Sequence, residues 1–181
     1  MMDETDGGLV LRNSRDRGKT WWYKRFRAAS YVNAVVWIIW TVAIVLPFPP
    51  FSYLQPIVVG GGAGTWFLLA YLLFLAVSVV GFAVLASIVF VVELHERRTL
   101  NQELMFIGLT LLYVGTTVGF ILLGFAGAFG GYALVIEHST VDATHDLLLP
   151  YVNSITAACL AATIGASLII YGMCRAKAPE P

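Results

Sequence analysis

The densest group of chemistry-bearing side chains is Glu137-His138-Ser139-Thr140-Val141-Asp142-Ala143-Thr144-His145-Asp146. Neutral imidazole and carboxylate are ligand types that zinc and copper accept. On a helix, His138, Asp142 and His145 would share one face at spacings of four and three. That makes them candidate metal ligands, with Glu137 and Asp146 supplying negative charge that attracts a cation and orients the imidazoles. The competing reading is a solvated acidic loop in which Asp146 or Thr144 caps the helix that follows.

A second cluster, Glu93-Leu94-His95-Glu96-Arg97-Arg98 with Glu103 beyond it, places opposite charges near one another at a helix end. Such charges form solvated pairs, so this segment reads as a structural hairpin. Gly60-Gly61-Gly62-Ala63-Gly64 lacks the Gly-Lys-Ser/Thr ending of a phosphate loop and reads as a flexible entry to a helix. Cys159 and Cys174 sit about 22 Å apart if they share one helix, too far to bond to each other, and are expected as buried small apolar side chains. No catalytic grouping is evident, which favours a non-enzyme.

The elements that must carry these residues are membrane spans. Of 181 residues, 59% are hydrophobic and 12% charged, too few charges to cover a water-soluble surface. The polar segment 1–27, expected to be disordered, runs into Trp21-Trp22-Tyr23 with Lys24, Arg25 and Arg27, an aromatic and basic anchor at headgroup level. Apolar runs at about 28–46, 65–92, 104–126 and 147–173 each reach the roughly 20 residues a crossing needs. A short polar tail, 174–181, closes the chain. The first run follows its basic residues late and carries no Ala-x-Ala site, so it is read as a retained span. None of the four has Asp, Glu, Lys, Arg or His in its middle, which argues against a proton-coupled pump or a haem held between helices.

All 11 Lys and Arg fall before the first span, between the second and third, or after the fourth. An even number of spans puts all three regions on one side. The positive-inside tendency names that side cytoplasmic, with both termini there and the protein in the cell membrane. The first opposite-side loop, 47–64, carries no charge and is too apolar to stand free in water, so it should lie in the interface or against the protein.

Small residues mark where helices touch. Gly115 and Gly119 on the third span, and Ala158, Ala162 and Ala166 on the fourth, follow the small-x-x-x-small spacing that lets backbones approach in lipid. Asn33, Thr110, Thr116, Thr117, Asn153, Ser154 and Thr156 are the intramembrane polar groups available for bonds between helices. The expected fold is an all-α integral membrane protein, a four-helix bundle running up-down-up-down with a short hairpin between spans two and three.

The run Gly62-Ala63-Gly64-Thr65-Trp66-Phe67 through Tyr71 to Gly81 resembles a helix entrance in haem–copper oxidase subunit I, over about twenty residues. The resemblance implies a cofactor-free relative or accessory subunit of a respiratory assembly, since the mid-helix histidines that hold haem and copper in that family are absent. Three functions follow as expectations. The first is a non-catalytic subunit or accessory protein that packs against lipid and against other membrane subunits or copies of itself, without nucleic acid. The second is an extracytoplasmic protein binding a divalent metal, zinc or copper. The third is a small oligomeric channel or transporter.

Overall fold

In lipid, every backbone N–H and C=O must find its partner within the segment, so long apolar runs become helices. The computed structural model describes residues 21–96 and 98–176, and in it the four expected spans are four long helices. These are α1 (Trp21–Val45), α3 (Gly64–His95), α4 (Gln102–Val135) and α5 (Val141–Cys174), each long and apolar enough to cross a bilayer. A short helix, α2 (Leu54–Val59), follows a single 3-10 turn at Phe51–Tyr53. The fold is an all-α, multi-pass membrane bundle.

Helix α3 is not uniform. Its stretches Phe74–Gly81 and Val91–His95 are π-helical, while Gly64–Leu73 and Phe82–Phe90 are α-helical. Helix α1 packs on the middle and later part of α3, the first turns of α3 pack on α4, and α4 and α5 run together along most of their length. Among the described residues, α5 has its extensive contact with α4 only. Large side chains from Trp22, Phe26, Phe82, Met105 and Ile169 fill a core near the basic end of the bundle. Ala63, Ala126 and Leu148 form a smaller cluster toward the other end.

Two local signals start the last two spans. Asn101 caps α4, its side-chain oxygen accepting from the N–H groups of Glu103 at 3.0 Å and Leu104 at 3.2 Å. Thr140 caps α5 by accepting from the N–H of Ala143 at 3.3 Å. Thr144 is buried and donates its hydroxyl to the Thr140 carbonyl at 3.0 Å, and Asp146 lies in the second turn, so neither is the cap the sequence suggested.

The connection between α4 and α5 corrects an expectation. A loop from Gly127 to Asp146 was expected, and the chain instead leaves helix only over residues 136–140. The glycines that look like breakers are contact points. A Cβ on Gly127 would stand 2.1 Å from the Phe67 nitrogen, and one on Gly131 would stand 2.3 Å from a methyl of Ile57. They keep the helix because α2 and the start of α3 lie directly on it. The uncharged 47–64 segment does lie against the protein: Ile57 is buried, and the Tyr53 and Tyr132 rings meet edge to face at 6.0 Å. Gly61 and Gly62 turn the chain with φ of 74° and 56°, and Gly64 leaves room for the Ile57 carbonyl, so the glycine run is a tight turn with defined geometry.

Candidate functional site

Two seams hold the spans together, and they use different chemistry. On α1, Ser30, Asn33, Trp37, Trp40 and Thr41 recur at helical spacing and face α3. The Ser30 hydroxyl donates to the Val79 carbonyl at 2.8 Å, and the Asn33 amide donates to the Ser78 carbonyl at 2.8 Å. Both acceptors belong to the π-helical stretch, and a carbonyl has a second lone pair to offer after its backbone bond. One turn further, Trp37 stacks on Tyr71 with centroids 5.4 Å apart. The Thr41 hydroxyl donates to the Trp37 carbonyl at 2.8 Å and lies 3.0 Å from the Tyr71 hydroxyl, so Tyr71 is the donor of that second bond. Trp40 closes the seam against Phe67, Tyr71 and Phe74. The Trp37 indole nitrogen and the Ser78 hydroxyl are buried without a hydrogen-bond partner among the described residues. Apart from the Tyr71 phenol the seam's named residues carry no ionisable acid or base, and what they can do chemically is join two helices by directed hydrogen bonds.

The α4–α5 seam is built from backbone contact. A Cβ on Gly115 would stand 2.6 Å from the Ala162 nitrogen and 2.7 Å from the Ala158 carbonyl oxygen. One on Gly165 would stand 2.4 Å from the Leu112 nitrogen and 2.7 Å from the Gly108 carbonyl oxygen. Gly119 faces the Ala158 methyl with more room, at 3.3 Å. Ala166 packs beside the core at the basic end. Gly165 occupies this seam together with Ala158 and Ala162, whereas Ala157 and Ser154 are exposed on other faces of α5.

At the basic end, the Glu93–Glu103 segment divides in two. Glu96 and Arg98 form an exposed ion pair at 3.0 Å, two positions apart and past the end of α3, rather than at the spacing of three or four that a helix end would use. Glu93 does not join it: this carboxyl is 5% exposed. It accepts a hydrogen bond from the backbone N–H of Tyr23, in the first turn of α1, and its Oε2 has no partner among the described residues. The sequence reading placed Glu93 by its near neighbours. Its burial comes from α1, which brings Tyr23 and Trp22 alongside and presents a backbone N–H of the helix start. Elsewhere at the basic end, Arg25 lies over Trp22, Arg27 over Tyr23 and Arg175 over Tyr171, with guanidinium-to-ring distances of 5.4, 5.0 and 4.8 Å.

The His and Asp group is spread out. His138 lies in the 136–140 turn with φ of 54°, while Asp142 and His145 are on the first turns of α5. The single helix needed to align all three does not form. Glu137, His138, Asp142, His145 and Asp146 are exposed, and among the described residues no three His, Cys, Asp or Glu side chains come together as a metal-holding group. Cys159 and Cys174 are free and exposed on α5, not buried as expected. No relative was found. No protein-family model, curated protein or solved structure matches the chain. The sequence-predicted helix contacts and this unpredicted polar seam are therefore the features from which function is argued.

Proposed function

We propose that the chain is a non-catalytic membrane subunit whose task is to pack against other membrane-spanning helices, with its basic end in the cytoplasm. The observation that carries this reading is how the polar groups are used. Ser30, Asn33, Tyr71 and Thr41 are spent on holding α1 to α3, and Thr110, Thr116, Thr156, Thr163 and Ser167 each return a bond to their own helix. Little polar side chain is left to line an aqueous path, which disfavours a pore. The faces left over are long and apolar, and among the described residues α5 makes its extensive contact with α4 alone. The Gly62–Gly81 resemblance points to a respiratory assembly as the larger complex.

The test is the size of the particle in native membranes. A tagged chain extracted in mild detergent should migrate well above its own 19.8 kDa plus micelle, and deleting it should impair assembly or oxygen consumption of the respiratory membrane. A lone monomer in native membranes, with respiration untouched by deletion, would overturn the proposal. Orientation is checked separately: a Ser139→Cys variant should react with an impermeant thiol reagent added to intact cells.

A further inference from the structure

The face of α5 turned away from α4 carries Asn153, Ala157, Leu160, Ile164, Ser167 and Tyr171, all exposed. They follow one another at steps of four and three, so they form a single straight stripe opposite Ala158, Ala162 and Ile169, which face α4. A four-three repeat is the spacing that keeps two helices in contact along a left-handed crossing near 20°. From Asn153 to Tyr171 the stripe is about 27 Å long, close to the whole hydrocarbon thickness.

Its one unusual member is Asn153. Of the hydroxyls nearby, three are satisfied within the helix, Thr156 donating to the Val152 carbonyl at 2.8 Å, Thr163 to the Cys159 carbonyl at 2.9 Å and Ser167 to the Thr163 carbonyl at 2.9 Å, whereas Ser154, exposed beside the stripe, has no such bond among the described residues. The Asn153 carboxamide has no hydrogen-bond partner among the described residues. Its depth can be read across the bundle. Ala158 lies against Gly119 and Leu148 against Gly130, so Asn153 is level with Gly124, whose own neighbour is Trp40 of α1. Trp40 stands about 8 Å below the end of α1 at Val45 and about 20 Å above Arg27. Exposure at that depth means exposure to lipid, where an unpaired amide costs several kcal/mol by the order of magnitude of transfer to hydrocarbon.

We infer that this stripe is a contact with a second copy of the same chain, in which the two Asn153 amides hydrogen-bond to each other. The choice of occupant follows from symmetry and chemistry. All copies insert with the same orientation, so a two-fold axis must lie along the membrane normal, and two α5 helices meet parallel with each residue facing itself. A group that meets itself must be both donor and acceptor. A carboxamide is, whereas an ammonium or a carboxylate is not. Ala157 beside it lets the helices approach, and a single Asn in an apolar seam fixes register and partner number. The inference deepens the packing-subunit reading and rests on it.

The test uses the full chain in lipid, in a Cys159→Ser/Cys174→Ser background. Leu160→Cys and Ile164→Cys should form disulfide-linked dimers on oxidation, while Ile170→Cys, exposed on the flank of the stripe, should not. Energy transfer between labelled copies in vesicles should show that Asn153→Leu weakens self-association by about threefold to tenfold and that Asn153→Gln restores it. Thermal unfolding of Asn153→Leu at a detergent dilution that keeps both proteins monomeric should match the parent, because Asn153 is exposed and makes no hydrogen bond among the described residues. Efficient cross-linking at Ile170→Cys equal to that at Leu160→Cys, or self-association indifferent to Asn153→Leu, would overturn the inference. So would a chain that shows no self-association in vesicles yet still migrates in a large native particle. That last result would leave the packing-subunit reading standing with a different partner on α5, whereas a monomer under both conditions would remove both.

Discussion

The seam between α1 and α3 and the seam between α4 and α5 solve one problem by opposite means. Lipid supplies little hydrophobic drive for helices to associate, so contact must come from close packing or from bonds between polar groups. In α4–α5, glycine and alanine bring two backbones together and the contact tolerates almost no added volume. In α1–α3, aromatic side chains interlock and directed hydrogen bonds run from side chains of one helix to backbone carbonyls of the other. The first seam is specified by what is missing from its side chains, the second by what its side chains donate. They should therefore fail differently under substitution, steeply for added bulk in one and gently for lost bonds in the other.

The largest effect is expected from Gly115→Leu. Its Cβ would meet the backbone of Ala158 and Ala162 under 3 Å away, and backbone cannot rotate aside. Thermal or denaturant unfolding in detergent should show a loss of about 3 kcal/mol, or separation of α5 from the rest. Next is Asn33→Leu, which removes the bond to the Ser78 carbonyl in a fully buried position. A loss of about 1 kcal/mol is expected, and a loss as large as that of Gly115→Leu would break the contrast between the seams. Gly119→Ala should cost less again, under about 1 kcal/mol, since its Cβ meets only the Ala158 methyl at 3.3 Å. If Gly119→Ala and Gly115→Ala cost the same in parallel unfolding curves, the packing detail along α4 is wrong. The smallest effect is set for Thr41→Val, about 0.5 kcal/mol, because Tyr71 loses an acceptor but keeps its stacking on Trp37.

The four spans and their small-residue contacts were legible in the sequence because they depend on composition and on spacing within one helix. Gly115 and Ala162 announce themselves by period alone. Asn33 was visible as a polar residue in a span, but its partner was not. The Ser78 carbonyl is available to it through the π-helical run Phe74–Gly81, and the apolar letters of that run give no sign of wider hydrogen bonding. Gly127 and Gly131 lie past the apolar run that ends at 126, and their own letters give no sign that α4 continues through them. A glycine that ends a helix and one that admits another segment look alike until that segment is in place, and here it lies sixty positions earlier for Gly127 and 74 for Gly131. Glu93 was placed by its neighbours in sequence, whereas α1 decides its burial. His138 failed as a helix residue because Thr140 begins α5 after it. Apart from His138, whose place outside the helix is set locally by the Thr140 cap, the signal lay in a long-range contact.

The helix lengths carry a mechanical consequence. Beyond Arg27, α1 offers an apolar stretch over 28–45, about 27 Å long, whereas α4 beyond Glu103 offers 104–135, about 48 Å, and α5 beyond Asp146 offers 147–174, about 42 Å. Lipid around the protein thus meets a low wall on one flank and a high one on the other. A bilayer of ordinary thickness fits the low wall. Beside the high wall it must thicken, or the paired helices must lean, at a fraction of a kcal/mol for each ångström of mismatch. The energy of the surrounding membrane then depends on which flank faces a neighbour. A second high wall set against the first would spare the lipid between them that distortion, so membrane elasticity alone gives the α5 side a reason to be covered first.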